Sequence, residues 1–569
     1  MREAVLVSIE IIGRSCQVPG ADSPEELFKL LCERQNTVTE IPDDRWDKAR
    51  YWHPQVGVVG KTYTFAAGVV HNTLDIDHAV YGISPREAES MDPQQRWILQ
   101  LVWRAMENAN LTAEHIKDER VGVYVGASNI EYGNLAAGDP AAASPYFMTG
   151  NTLSVIANRI SHVLGVKGPS MTVDTACSSG LVALDLAVRA LEAGDIDTAI
   201  VGSISTLSHP LSFVGFAQAR MLSPEGLCRA YGANGEGYVR SEGGVALVLR
   251  RSDYATAHGD RSHARIVASG VNSAGRTNGI SLPAREAQAS LLRSIYEDGG
   301  IDFSRLAFIE GHGTGTKVGD PAEVWAIGTE IGRRRNAPIP IGSVKSNIGH
   351  TEPVSGLVGL MKAMLALEND FFPPTLNAEQ TNEEIDFKGL NVSVASMGLD
   401  LLSSKHTRYA GINSFGFGGT NAHVVICDPD RTQPKRPEPE NKILFVSAQS
   451  EDSLKELLAS YQDVIAETET ADLPGLFAAI GSNRHHMRNR FVIDGRDPET
   501  VKAEIDNYLD EQAPKVAAVG RTFQDQAKTA FVFSGNGSQW VGMGLNALNN
   551  SASFRRQFEI IDALYKTLA

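Results

Sequence analysis

Residues 170–191 read SMTVDTACSSGLVALDLAVRAL, and the two halves of this stretch follow different periods. Ser170 to Val173 reads as extended, whereas Leu181, Leu184, Val188 and Leu191 recur at three- and four-residue steps and share one helical face. A strand running into a helix through a Gly/Ser/Thr turn is the unit of a layered α/β fold. The turn carries Cys177 at the start of the helix. Unpaired backbone N–H groups and the positive end of the helix dipole favour thiolate there, which predicts a reactive sulfur. A single cysteine is more often a small buried hydrophobe, so the reactive reading needs support from elsewhere in the chain.

The same alternation extends from about Val5 to Asp428. Candidate strands are Val121 to Val125, Thr198 to Val201, Val245 to Leu249, His263 to Ala268, Ala307 to Ile309 and Ala422 to Ile426. Several end in Gly or Ser, where strands meet functional loops. At 569 residues the chain exceeds what one core serves, so more than one domain is expected. Asp428 to Asn441 (DPDRTQPKRPEPEN) is polar with four prolines and reads as a linker. Lys442 to about Ala527 suits a compact α/β adaptor, with strands at Ile443 to Ser447 and Arg490 to Asp494. A last strand, Thr529 to Ser534, runs into the glycine loop Gly535-Asn536-Gly537-Ser538-Gln539, and only about 30 residues follow, too few for an independent domain.

Composition narrows the function classes. Apolar residues make up 42% and charged residues 21%, the balance of an ordinary globular protein. The net charge of −16 argues against a nucleic-acid or anionic-membrane surface. The five cysteines (Cys16, Cys32, Cys177, Cys228, Cys427) are odd in number and scattered, which fits neither a disulfide framework nor a zinc pattern and points to a reducing cytosol. No apolar run approaches the ~20 residues of a membrane helix, and no signal peptide is recognisable, so a cytoplasmic location is expected.

Three further motifs bear chemistry. Glu310-Gly311-His312-Gly313-Thr314-Gly315-Thr316 places a histidine between glycines that allow close substrate approach, with two hydroxyls able to bond an extended amide-bearing chain; Gly319-Asp320-Pro321 follows. Gly342-Ser343-Val344-Lys345-Ser346-Asn347-Ile348-Gly349-His350 precedes a helical stretch through Gly356 to Leu367. Either histidine alone reads equally well as a hydrogen-bonded turn residue. No H-E-x-x-H or close Cys/His cluster exists, so neutral imidazoles here serve better as donors than as metal ligands. Asn413-Ser414-Phe415-Gly416-Phe417-Gly418-Gly419-Thr420-Asn421 is a turn whose backbone N–H groups can form an oxyanion hole; it lacks the Lys-Ser/Thr ending of a phosphate loop.

Together, in this order, these motifs resemble the β-ketoacyl synthases, specifically the ketosynthase domain of type I polyketide synthases. The resemblance covers roughly Val5 to Cys427 and includes Ile12-Gly13-Arg14-Ser15-Cys16 with Pro19-Gly20, Met91-Asp92-Pro93-Gln94-Gln95-Arg96, and Gly237-Tyr238-Val239-Arg240-Ser241-Glu242-Gly243. It implies a thiolase-like fold of five α/β/α/β/α layers, a homodimer, and three segments: a ketosynthase over 1–427, a small α/β linker domain over 428–527, and the start of an acyltransferase over 528–569. It implies Cys177 as acyl-accepting nucleophile, and His312 and His350 as the pair acting on a malonyl-type donor. Lys345 would order the His350 region, Cys177 and Phe417 would supply the oxyanion-hole N–H groups, and Thr314 and Thr316 would contact pantetheine. No bound cofactor is implied beyond the phosphopantetheine arm of an acyl carrier protein, and the partners are that carrier, the downstream acyltransferase and other synthase domains.

Departures accompany the match. Tyr231-Gly232-Ala233 stands where the family usually has Phe-Asp-Ala, which puts a supporting hydrogen bond in question. Asn483-Arg484-His485-His486 fits the linker domain, whereas Asn536 replaces the glutamine usual in acyltransferases, and no G-x-S-x-G follows it. Met148, Phe213 and Phe216 are candidates for an acyl tunnel. The alternatives are a non-elongating domain that passes acyl chains along, and a degradative thiolase, for which Cys427 is the position offered as second cysteine.

Overall fold

Ser170–Val173 is a strand and Ser179–Glu192 a helix, as the two periods in that stretch predict. The computed structural model describes residues 8–136, 139, 141, 143–401, 406–429, 443–522, 528, 530, 532, 535 and 537–568. The chain divides into two units, Met1–Gly520 and Arg521–Ala569.

The first unit opens with β1 (Ile9–Gln17), α1 (Pro93–Asn108), β2 (Val121–Gly126), α2 (Leu153–Leu164), β3 (Ser170–Val173), α3 (Ser179–Glu192), β4 (Thr198–Ser205) and β5 (Gly243–Arg251). Across the sheet these strands run β1-β5-β4-β2-β3, the first two pairings antiparallel and the last two parallel. A second series follows: β6 (Ala264–Ser273), α4 (Arg285–Asp298), β7 (Leu306–Glu310), α5 (Gly319–Glu330), β8 (Ile339–Gly342), α6 (Ser355–Glu368), β9 (Val392–Val394), β10 (Tyr409–Phe415) and β11 (Thr420–Cys427). It runs β6-β11-β10-β7-β8, again antiparallel twice and then parallel twice, with β9 added at its edge. Leaving β9 aside, each half is ordered first, fifth, fourth, second, third. The chain therefore builds the same half twice, and a short antiparallel pairing of β1 with β6 joins the halves into one 11-stranded sheet.

Side-chain alternation produces the layers. Val121, Val123 and Val125 of β2 pack outward beneath α1 and α2, while Tyr124 faces the central core. On the second half Ile309 and Ile341 pack beneath α4 and α5, and Phe308 faces inward. Helices α3 and α6 lie between the halves and pack against the inward faces of both in that core. Helix α6 is buried from Ser355 through Leu367, as expected for a helix covered on all sides. Its one cation, Lys362, is neutralised by Glu310 at 2.8 Å, both side chains being fully enclosed. The result is the thiolase-like five-layer arrangement expected from the resemblance.

Residues beyond β11 form a separate small core around Leu444, Phe477, Phe491 and Ile505, from strands Ile443–Ala448 and Asn489–Asp494 and helices Glu451–Glu467, Leu473–Ser482 and Pro498–Leu509. His485 of this region stacks on Trp103 of α1 with ring centroids 3.9 Å apart, and Arg484 lies 3.7 Å from Glu107. Most of the proline-rich linker lies outside the described residues. So do Asn536 and most of the strand read over Thr529 to Ser534. The second unit contains helices Leu545–Asn550 and Ala552–Leu568. Among the described residues no helix is long and apolar enough to cross a membrane.

Candidate active site

Cys177 occupies a sharp turn between β3 and α3. Ala176, just before it, has φ +57°, a left-handed conformation that a side chain adopts only when its surroundings enforce it. Asp174 accepts the Ala176 N–H at 2.9 Å, Ser179 Oγ accepts the Thr175 N–H at 2.9 Å, and Ser414 Oγ donates to the Cys177 carbonyl at 2.8 Å. The turn aims Sγ into a cavity of about 850 Å³ whose lining includes His312, His350, Thr314, Thr316 and Phe417. All the residues of the sequence-derived site except Lys345 reach this one cavity; Lys345 is buried beside it at the start of a short helix, Lys345–Ile348.

His350 arrives from the corresponding place in the second half, between β8 and α6. Its main chain is zipped onto the segment 239–241, donating to Val239 O at 2.7 Å and accepting from the Ser241 N–H at 2.9 Å. Its Nε2 lies 3.2 Å from Cys177 Sγ, and its Nδ1 accepts the Glu352 N–H at 3.1 Å. His312 follows β7, and its Nδ1 faces the Phe415 N–H at 3.4 Å. The two rings stand edge to face with centroids 5.4 Å apart. Burial, reinforced by the Lys345 charge, holds both imidazoles well below the usual histidine range, so both are neutral near pH 7. In a neutral ring whose Nδ1 accepts, Nε2 carries the proton. Both histidines therefore present Nε2–H donors to the cavity.

One donor atom each of Cys177, His312 and His350 lies within 4.8 Å of the others, a spacing that also suits a metal ion. Ligation through Nε2 would require both rings to move the proton to Nδ1, against the N–H groups already aimed there. The N–H groups aimed at both Nδ1 atoms therefore favour hydrogen-bond donation from Nε2 over coordination.

The expected depression of the Cys177 thiol is not met. Burial pushes it up to about 12 and the Glu352 charge adds to this, against the nearby backbone N–H groups of Phe417 and Cys177 and against Lys345. The helix start is present, but desolvation of the anion outweighs it. Phe417 lines the same cavity as the thiol.

The glycines beside His312 also have another reason than substrate access. A Cβ on Gly311 would lie 1.9 Å from the Tyr231 hydroxyl, and one on Gly313 2.9 Å from it. Thr314 and Thr316 sit with their hydroxyls 3.1 Å apart on the cavity wall. Phe216 lines the cavity and packs edge-on against Phe417, but Phe213 is enclosed over Arg240, and Met148 is 69% exposed and outside the lining. Cys427 is buried at the end of β11, away from the cavity.

Two carboxylates escaped the motif reading. Glu352, at φ +51°, positions His350 through its N–H while its carboxylate is paired with the buried Arg240 at 2.6 and 3.0 Å. Glu323 accepts the N–H groups of His312 and Gly313 at 2.6 and 2.8 Å. The acidic pair Asp320 and Glu323, one helical turn apart just after the His312 motif, is the signal that could have found the second.

Residues 7–255 and 263–379 match the N- and C-terminal domains of the beta-ketoacyl synthase family, and 381–493 match the ketoacyl-synthetase C-terminal extension. Over 558 residues the chain is 37% identical to a phenolphthiocerol/phthiocerol polyketide synthase of Mycobacterium tuberculosis, covering 96% of this chain and 30% of that protein. It is 35% identical over 549 residues to erythronolide synthase EryA2 of Saccharopolyspora erythraea, covering 96% and 15%. The chain thus spans a third or less of the length of these relatives. Among solved structures it is similar to the ketosynthase from module 6 of the bacillaene synthase of Bacillus subtilis 168 (31% identity, TM-score 0.82, 98% of this chain and 93% of that one). It is also similar to the oxazolomycin ketosynthase domain OzmH KS7 of Streptomyces albus JA3453 (31% identity, TM-score 0.83, 92% and 91%).

Proposed function

The chain belongs to the β-ketoacyl synthase family, as a ketosynthase of the type I polyketide synthase kind, and on that premise we propose that it holds an acyl chain on Cys177 and condenses it with a malonyl-type extender. The observation that carries this reading is the Cys177 sulfur. It stands at the cavity with an Nε2–H donor 3.2 Å away, and the wall of that cavity includes Phe417.

Chemistry follows from that arrangement. In the first step Cys177 sulfur attacks the carbonyl of an acyl thioester on the phosphopantetheine arm of an acyl carrier protein. The backbone N–H groups of Cys177 and Phe417 hold the tetrahedral oxyanion, the carrier sulfur leaves, and the cysteine proton ends on it. Neutral histidines with their protons on Nε2 do not take that proton. In the second step the arm of a malonyl carrier lies along Thr314 and Thr316. The bond between the malonyl α-carbon and its carboxylate breaks, carbon dioxide departs, and the electron pair forms an enolate whose oxygen is met by His312 and His350. The enolate carbon then attacks the acyl carbonyl, the bond to Cys177 breaks, and the returned thiolate takes a proton from solvent. Lys345 serves this step by keeping both rings neutral.

The domain boundaries 1–427, 428–527 and 528–569 belong to the same proposal, supported by the separate small core around Phe477 and Phe491. So does the homodimer. Among the described residues strand β3 ends the sheet with an unpaired edge, and Met171 on it is 40% exposed, a surface suited to a second copy. Acyl carrier protein, a following acyltransferase and other synthase domains are the partners, and the cytoplasm the proposed site of action.

The test incubates the protein with an acyl thioester and malonyl carrier protein, detecting both the acylated enzyme and the β-ketoacyl product by mass. Loss of both in Cys177→Ala is expected. Unchanged product formation in that variant would overturn the proposal, and acylation without any product in the native protein would favour the non-elongating alternative.

A further inference from the structure

Tyr231 is enclosed, adopts φ +61°, and lies against the backbone of His312 so closely that neither flanking position tolerates a Cβ. Three contacts hold it in this strained conformation. Its N–H donates to Asp320 at 2.7 Å, its carbonyl accepts the Asn382 N–H at 2.9 Å, and its hydroxyl donates to Glu323 Oε2 at 2.8 Å. Glu323 Oε2 also accepts the Gly313 N–H, and Oε1 accepts the His312 N–H and the Asn413 side-chain amide at 2.8 Å. The orientation of Asn413 is set in turn by His423, whose Nδ1 lies 2.6 Å from Asn413 Oδ1. A carboxylate with four directed donors has little freedom to turn.

We propose that Tyr231 is a positioning residue for His312: its hydroxyl fixes the Glu323 carboxylate, which grips the His312 and Gly313 amides and so aims the His312 Nε2–H into the cavity. The hydroxyl stands where the resemblance left a supporting hydrogen bond in question, and the glycines that flank His312 are the space its ring occupies. The catalytic consequence rests on the condensing role proposed above; the positional one does not. Glu323 touches the Cys177 side of the site only through Asn413, whereas it holds the His312 and Gly313 amides directly, so acyl transfer to the sulfur is expected to depend on Tyr231 much less than carbon dioxide release does.

The test compares Tyr231→Phe, which keeps the ring, with the native protein. The expected result is a fall of about tenfold in kcat for carbon dioxide release from malonyl thioester, with KM and the rate of Cys177 acylation changed less than about twofold. In a Glu323→Gln background, itself impaired, the same substitution should cost nothing further. Independently of activity, the Cε1–H resonance of His312 in protein carrying 13C-labelled histidine, assigned with His312→Gln, should move or broaden in Tyr231→Phe while that of His350 stays. An unmoved His312 resonance would overturn the proposal whatever the kinetics. Equal losses in acylation and decarboxylation would also overturn it, since they mark a general structural role. A native protein that releases no carbon dioxide would sink the condensing role and leave the resonance to decide this one.

Discussion

Gly180 and Gly356 are each the second residue of a central helix, and each leaves the space that the other helix fills. A Cβ on Gly180 would meet Leu357 Cγ at 3.0 Å, and one on Gly356 would meet Leu181 Cγ at 2.5 Å. The reciprocity follows from the doubled topology, because α3 and α6 each follow the third strand of their half. Close approach at these two residues brings the loops ahead of both helices together, and those loops carry Cys177 and His350.

Gly356→Val should therefore cost about 1–3 kcal/mol through overpacking and slow Cys177 acylation by parting the two loops. Gly475→Ala, in helix Leu473–Ser482 where a Cβ meets nothing within 4 Å, should do neither. Thermal melts and acylation time courses followed by intact mass check this. A Gly356→Val protein with native melting and acylation would show that the helices have slack the packing does not reveal.

A thiol raised by burial should titrate high. Alkylation of Cys177 by iodoacetamide is expected to accelerate with pH and still be rising at about pH 9.5, beyond the range where an ordinary cysteine levels off. His350→Ala, which removes a donor to the thiolate, should slow the reaction at every pH. A plateau below pH 8 in the native protein would mean that the helix start and the N–H donors outweigh desolvation after all.

Much of the scaffold was legible because buried strands are apolar or β-branched along their length and buried helices keep their period. Val121–Gly126 and Ser179–Glu192 were both recognisable on those grounds. Cys177, His312, His350 and Phe417 were found through unusual residue types in glycine-rich surroundings. Other features leave no such mark. The repeated half is a repetition of strand order, which needs no repeated residues. Glu352 looks like an ordinary solvated charge until the fold buries it against Arg240, and Glu323 is marked only by its spacing from Asp320. The left-handed conformations of Ala176, Tyr231 and Glu352 fall on residue types that give no hint of them. For the same reason the motif shows substrate clearance in the glycines around His312 but gives no sign that Gly311 and Gly313 also make room for the Tyr231 hydroxyl.

The division of labour between sulfur and imidazoles is open to a direct measurement. Replacing both His312 and His350 by alanine should leave Cys177 acylation detectable, slowed by about tenfold through loss of the Nε2–H at the sulfur. Carbon dioxide release should fall by about 10²-fold or more, since the enolate loses both donors. Radiolabelled malonyl carrier and intact-mass acylation read the two steps separately. Complete loss of acylation in the double variant would make the histidines activators of the thiol and refute the assignment of their protons to Nε2.

Asp320 should leave its own signature in the pH dependence of stability. Burial, with the nearby Glu323 charge, raises its carboxyl to about 7, although the N–H groups of Tyr231, Gly315 and Thr316 pull the other way. A folded-state value above the unfolded one means that between about pH 4 and 7 the folded protein retains a proton that the unfolded chain releases. Its contribution to stability is then greatest at the acid end and is lost as pH rises through that window, by at most about 1.4 kcal/mol per pH unit for one proton. Asp320→Asn cannot titrate and should remove this slope. The variant also puts an NH2 group where one carboxyl oxygen accepts an N–H, so it should be less stable throughout; only the change of the difference with pH is diagnostic. Urea midpoints of both proteins at pH 5 and pH 7 measure it: the gap between native and variant should narrow on going to pH 7. A gap that is constant or widens would show that the three N–H donors hold Asp320 ionised in the folded protein and that burial does not decide its charge.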